Sequence, residues 1–346
     1  MPEALDLARS LPKVVLHDHL DGGLRETTLL ELLRERGIEP PAADAASLGQ
    51  WFDERAHAGS LVEFLRGFAL TVAAMASPSA LRRVAFEAAE DARADGALLA
   101  EFRIAPLLFE PHGIAGDAAV EALLEGLAAA PIPCGLIVCA MRHLPESETL
   151  RAARLAVRYR GRGVVGFDLA GAEAGHPPTE HARAIALARD AGLPLTLHAG
   201  EADAAPRVVE AVRLGAARIG HGVRLVDSLA TDPALVEVVR KARVHLEVCP
   251  TSNVHTGAAR SIAEHPITAL WRAGVSLSVH TDNRLMSRVS LTSEVQALLS
   301  ETPLTADDLR AMAAEAVRHS FLPEAARQGA LDALQAWAPP PGTGAG

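Results

Sequence analysis

Eight short runs rich in β-forming residues recur along this chain, each followed by a longer stretch of helical period, and that alternation dictates parallel βα units. The runs are 14–19, 98–105, 135–140, 164–169, 194–198, 218–221, 244–248 and 275–280. Eight is the number that closes a parallel sheet on itself, so the expected fold class is α/β, a (β/α)8 TIM barrel. Helical spacing over 180–191, 206–214 and 233–242 ends at stop signals such as Gly192 and Gly215. The connection over 24–97 is far longer than an ordinary βα link and holds several helical patterns, one of them over 60–75. Inserted after strand one, at the C-terminal face, it would lie over the barrel mouth as a helical lid. The expected organisation is one barrel domain over 1–337 carrying this insertion, followed by a disordered tail, APPPGTGAG, over 338–346.

The chain has 346 residues, of which 49% are hydrophobic and 22% charged, enough to bury a large core. A net charge of −10 with no run of Lys or Arg argues against nucleic acid or an anionic membrane as partner. Cys134, Cys139 and Cys249 form neither a disulfide framework nor a CxxC pair, which points to a reducing, cytoplasmic setting. The opening MPEALDLARSLPK lacks the charged start and apolar core of a signal peptide, and no apolar stretch reaches the roughly 18 residues of a membrane span.

Chemistry concentrates at the ends of the predicted strands. His17 and His19 are two residues apart, so on a strand both face the same way. An isolated HxH is as often a pair of ordinary polar residues, but His198, His221 and Asp282 end runs five, six and eight, where barrels place catalytic groups. His17, His19, His198 and Asp282 make a nitrogen and carboxylate set suited to zinc, with a position left for water. The same ligand types also accept iron, cobalt or manganese. Binuclear relatives of such barrels bridge two metals with a modified lysine on strand four. That strand reads VVGFDLAG here and the only lysines are Lys13 and Lys241, so one metal is expected.

Glu201 follows His198 by three residues in HAGE, on the loop leaving strand five, where a carboxyl in a partly dry pocket can hold a proton near neutrality. His221, flanked by glycines in GHG, could orient or deprotonate an activated water, or stabilise its charge. His280 shares a face with Asp282 and is a candidate to support the ligands. His57, His112, His143, His176, His181, His245, His255, His265 and His319 read as surface or capping residues.

The motifs LPKVVLHDHLDGGLR, VVGFDLAGAE, LTLHAGE, RIGHGVRL, EVCPTSN and SLSVHTDNRLMS span nearly the whole chain, and together it resembles the adenosine deaminases of the metal-dependent amidohydrolase superfamily, in a bacterial branch. The resemblance implies one Zn2+ per chain on His17, His19, His198 and Asp282, with Glu201 as proton donor and His221 as the catalytic histidine. It implies that His19, Asp21, Gly171 and Asn283 contact substrate, Asp21 through a sugar hydroxyl and Gly171 through its backbone. Leu61, Phe64, Leu65 and Phe68 match the apolar wall that closes over substrate, although the same spacing serves plain helix packing.

The implied reaction is hydrolytic deamination of adenosine and 2′-deoxyadenosine to the inosines, with protonation of N1 making attack at C6 feasible. The unrelated zinc deaminases that carry HxE and PCxxC are excluded, since the chain has no CxxC. The implied partner is a small purine nucleoside; the sequence carries no signal for oligomeric state. Many members of the family have a second Asp and then Pro after the metal Asp, where this chain has Asn283 and Arg284. An Asn amide donates to purine N7 at any pH. Arg284, if it stands at the mouth, would meet an acidic group, which leaves 6-aminodeoxyfutalosine or adenine as alternative substrates. A non-catalytic nucleoside-binding protein is the third reading, weakened by the complete set of ligands with Glu201 and His221.

Overall fold

All eight expected runs form strands: β1 (Lys13–Val15), β2 (Ala97–Ile104), β3 (Cys134–Met141), β4 (Val164–Ala170), β5 (Leu195–Ala199), β6 (Arg218–His221), β7 (His245–Val248) and β8 (Leu277–Val279). The computed structural model describes residues 2–56 and 61–341, the side chains of 2 and 61–66 excepted. Neighbouring strands pair in parallel and follow chain order from β1 to β8, the topology of a (β/α)8 barrel.

The first strand departs from its expected span. Its regular ladder stops at Val15, and the segment to His19 continues as isolated bridges, Asp18 to Asp282 and His19 to Arg103. The first of these joins the two ends of the sheet, and the second continues the pairing of β1 with β2. Asp282 donates its N–H to the His17 carbonyl at 3.0 Å, and His19 donates to the Asp282 carbonyl at 2.8 Å. The backbone that closes the barrel therefore also carries three of the expected metal ligands.

A barrel lumen is ordinarily filled by layers of branched apolar side chains. Here Glu101 and Arg103 on β2, Asp168 on β4, Arg218 on β6 and Glu247 on β7 are fully buried. Arg103 bonds Asp168 at 2.8 Å and Glu247 at 2.5 Å, while Arg218 bonds Glu101 at 2.7 Å and Glu247 at 2.6 Å. Three of these pairs join strands that are not neighbours and so cross the lumen, while Arg218–Glu247 ties adjacent β6 and β7. Three carboxylates against two guanidiniums leave this layer with an excess of negative charge beneath the mouth.

Among the described residues, four α-helices lie between β1 and β2: Glu26–Glu35, Ala45–Ala56, Leu61–Met75 and Pro78–Ala94. The last starts at Ser77, whose hydroxyl accepts the Ala80 N–H. The Leu61–Met75 helix packs on the 3-10 turn Leu20–Gly22, and a Cβ at Gly67 would fall 2.8 Å from Met286 Sδ. It thus touches segments that leave both β1 and β8. Of the expected tail, 342–346 lie outside the described residues. Among the described residues no helix is long and apolar enough to cross a membrane.

Candidate metal centre and active site

The HDH segment alternates as its spacing predicts. His17 and His19 turn inward, while Asp18 between them accepts from Thr281 Oγ1 at 2.8 Å and Arg284 Nε at 2.7 Å. His17 is fully buried; its Nδ1 lies 2.9 Å from Glu247 and its Nε2 lies 3.2 Å from Asp282 Oδ1. His198 Nδ1 donates to Asp168 at 3.1 Å, so its Nε2 is a lone pair, 3.3 Å from His19 Nε2. His19 Nε2 lies 3.5 Å from Asp282 Oδ1, and Asp282 Oδ2 accepts from Ser252 at 2.6 Å. Burial opposes the charge on Glu247, but Arg103, Arg218 and His17 outweigh it and hold the carboxyl well below its usual range. The four expected ligands are thus brought together at the barrel mouth.

His221 stands among them, its ring centroid 4.9 Å from that of His17 and 5.3 Å from that of His198. One hydrogen-bonded ladder decides where its proton sits. The Ile267 N–H can only donate, so His265 Nδ1 accepts it at 3.1 Å. Burial pushes His265 down to about 4, so its ring is neutral and Nε2 carries the hydrogen, donated to Asn253 Oδ1 at 3.2 Å. That fixes the Asn253 amide, whose Nδ2 donates to His221 Nδ1 at 3.1 Å and to Glu201 Oε1 at 3.3 Å. His221 Nδ1 is therefore an acceptor, and the proton of the neutral ring is on Nε2, 3.5 Å from Glu201 Oε2. Thr256 also donates to Glu201 Oε1 at 2.9 Å. Burial, with Asp282 adding to it, raises Glu201 to about 8.

His221 and Asp282 both adopt left-handed backbone, at φ 64° and 59°. Such residues cost about 1–3 kcal/mol each and persist where the surroundings enforce them. Gly171, just past β4, has φ 92°, and a Cβ there would crowd His143 and Met141 at 3.1 Å. Asp21 is buried in the Leu20–Gly22 turn and raised to about 7 by desolvation, with Oδ1 unpartnered. Asn283 is buried with Oδ1 unpartnered, in space that exists only because residue 22 is glycine: a Cβ there would sit 2.0 Å from that oxygen.

Several expectations change. Arg284 is not a free cation at the mouth, since it bonds Asp18 and also Asp91 at 3.3 Å. His280 accepts the Leu16 N–H at 3.2 Å and bonds Ser278 at 2.6 Å, bracing β1 against β8 rather than touching a ligand. His181, His245 and His265 are buried and hydrogen bonded, not superficial. Leu61, Phe64 and Leu65 have side chains outside the described residues, as does all of His57, while Phe68 is half-buried against the core. Sequence reasoning missed Asn253, His265, Asp168, Glu247 and Glu173. The motifs EVCPTSN and VVGFDLAGAE contain four of the five, but only the fold shows which letters face the site.

The family model for adenosine deaminase matches residues 12–337. An adenosine deaminase of Mycobacterium tuberculosis (strain H37Rv) is 44% identical over 95% of this chain and 94% of its own length. Among solved structures, adenine deaminase from Arthrobacter aurescens superposes with a TM-score of 0.86 at 26% identity, covering 94% of this chain and 99% of that one. An Arabidopsis N6-mAMP deaminase gives 0.83 at 26% identity, over 95% and 99%.

Proposed function

This chain belongs to the adenosine deaminase family and catalyses hydrolytic deamination of adenosine, and on that premise we propose which of its side chains carry the reaction. His17, His19, His198 and Asp282 hold one zinc ion. The observation that carries this reading is the convergence of three imidazoles and one carboxylate on a single point. Separations of 3.2 to 3.5 Å between their nitrogen and oxygen atoms are short enough that the four side chains would hold one ion between them. The excess negative charge of the lumen beneath favours a cation in the same place. Bound there, the ion supplies the Lewis acidity that makes water a nucleophile near neutral pH.

His221 is a proton-bearing neighbour and not a fourth nitrogen ligand. Its Nε2–H donates toward the attacking oxygen and stabilises the charge that develops on it. Glu201, protonated near neutrality, passes its proton to purine N1 as C6 is attacked, so aromaticity is lost without leaving a charged ring. The unpartnered oxygen of Asp21 takes a sugar hydroxyl, the Asn283 amide donates to N7, and the Gly171 backbone meets the ring. 2′-Deoxyadenosine is accepted alongside adenosine, and the setting is cytoplasmic purine metabolism. The four helices after β1 form the lid, with Phe68 in its apolar wall.

The test is Glu201→Gln assayed for ammonia release and metal content. It should retain its zinc and lose about 10² to 10⁴ of the rate. Near-normal turnover, or wild-type activity undiminished after chelation, would refute the assignment.

A further inference from the structure

We propose that Glu173 is a positioning residue for the reaction, holding the loop that carries Glu201; this rests on the proton-donor role given to Glu201 above. Glu173 lies three residues beyond β4 and is buried. Its Oε1 accepts the Gly200 N–H at 2.5 Å, and its Oε2 accepts those of Glu201, Ala202 and Asp203 at 3.0, 2.8 and 3.1 Å. Four successive amides turned to one point form a concave anion site in the main chain. Gly200, at φ 72°, supplies the left-handed residue that begins the turn.

The opposite side of the same loop is held by Arg224, whose N–H donates to the Gly200 carbonyl at 2.9 Å and whose Nε donates to the Glu201 carbonyl at 3.2 Å. Glu201 is therefore fixed at both its N–H and its C=O, and its side chain has little choice of direction. The negative charge of Glu173 also adds to burial and Asp282 in keeping the Glu201 carboxyl protonated. A carboxylate is the group this site needs. A glutamine has one acceptor oxygen, and its NH2 would face backbone N–H groups that have nothing to accept.

The test is a double-mutant cycle on the zinc-loaded enzyme, with Glu173→Gln, Glu201→Gln and both together assayed on adenosine. Displacing a reacting group by about 1 Å costs on the order of 10²-fold, so Glu173→Gln should lower kcat about 10- to 100-fold, with KM changed less than about threefold and metal content unchanged. In the Glu201→Gln background the same substitution should cost less than about threefold, because the group it positions is already disabled. Equal losses in both backgrounds, or an unchanged kcat, would overturn the inference. A near-normal rate for Glu201→Gln alone would overturn the proton-donor reading and this inference with it. An inactive Glu201→Gln beside a fully active Glu173→Gln would overturn only the present inference. Should Glu173→Gln not fold, Glu173→Asp keeps the charge while reaching fewer of the amides, and the same cycle applies to it.

Discussion

Nδ1 of His17 lies 2.9 Å from Oε2 of Glu247, with both side chains sealed from solvent. The contact turns the imidazole and aims Nε2 at Asp282 Oδ1, 3.2 Å away. Glu247→Gln should therefore weaken zinc binding about 10- to 100-fold, measured by competition with a chromogenic chelator. The same change leaves Arg103 and Arg218 with one fewer counter-charge in the lumen. Urea unfolding with zinc in excess should fall by about 3–5 kcal/mol. Unaltered zinc affinity in the folded variant would show that the orientation of His17 has another source.

Asn253 is the pivot of the ladder that runs from Ile267 through His265 to His221. Asn253→Asp replaces a donor by an acceptor, so His221 would turn its proton to Nδ1 and present a bare Nε2 to the reacting oxygen. A reversed tautomer of a catalytic histidine has cost about 10⁴ in a serine protease. Here Glu201 also loses a hydrogen bond, and kcat should drop at least about 10²-fold with one metal per chain retained. Elemental analysis beside steady-state kinetics separates this from loss of the ion. A variant with kcat within twofold of wild type would remove the tautomer argument.

The residues that announced themselves in the sequence are those whose function coincides with a strand end. HDH, HAGE, GHG and TDN each follow a β-rich run, and the barrel brings the four together as counting the runs implied. The residues that orient them were hidden for a physical reason. Glu247 and Asp168 lie inside strands, where one charged letter among apolar ones reads as a solvent-facing position, yet the lumen holds them and pairs each with arginine. In the sequence His245 and His265 read as surface or capping residues, because histidine is an ambivalent letter. Serine hydroxyls neutralise the first and a backbone N–H the second, and burial keeps both uncharged. Arg284 misled for the opposite reason, since its partner Asp91 lies in the insertion, far away in sequence.

Because Arg284 is engaged by Asp18 and Asp91, it offers no free charge to an acidic substrate. Arg284→Met should leave the ratio of kcat/KM between neutral and carboxylate-bearing adenine nucleosides within about twofold of wild type. It should lower stability by about 3 kcal/mol, since Asp18 stays buried with only the Thr281 hydroxyl to bond. A tenfold or larger shift in that ratio would place Arg284 against substrate after all.

Asp308 gives a pH dependence far from the active site. It sits in the first turn of the Ala306–His319 helix, accepting from the Thr305 N–H, Trp271 Nε1 and both terminal nitrogens of Arg272, all at 2.9 Å. Burial works against its charge, but these donors outweigh it and hold the carboxyl at about 2. An unfolded Asp titrates near 3.9, so the folded value is depressed. The stability it contributes is present above about pH 4 and is lost as pH falls toward 2, about 2 kcal/mol in all. Asp308→Asn should accordingly be less stable than wild type by about that amount at pH 7. In urea titrations at pH 7, 5 and 3, the gap should hold through pH 5 and narrow at pH 3. A gap of constant size across that series would mean that the side chain acts through shape alone, and that its charge does not tie this helix to Trp271 and Arg272.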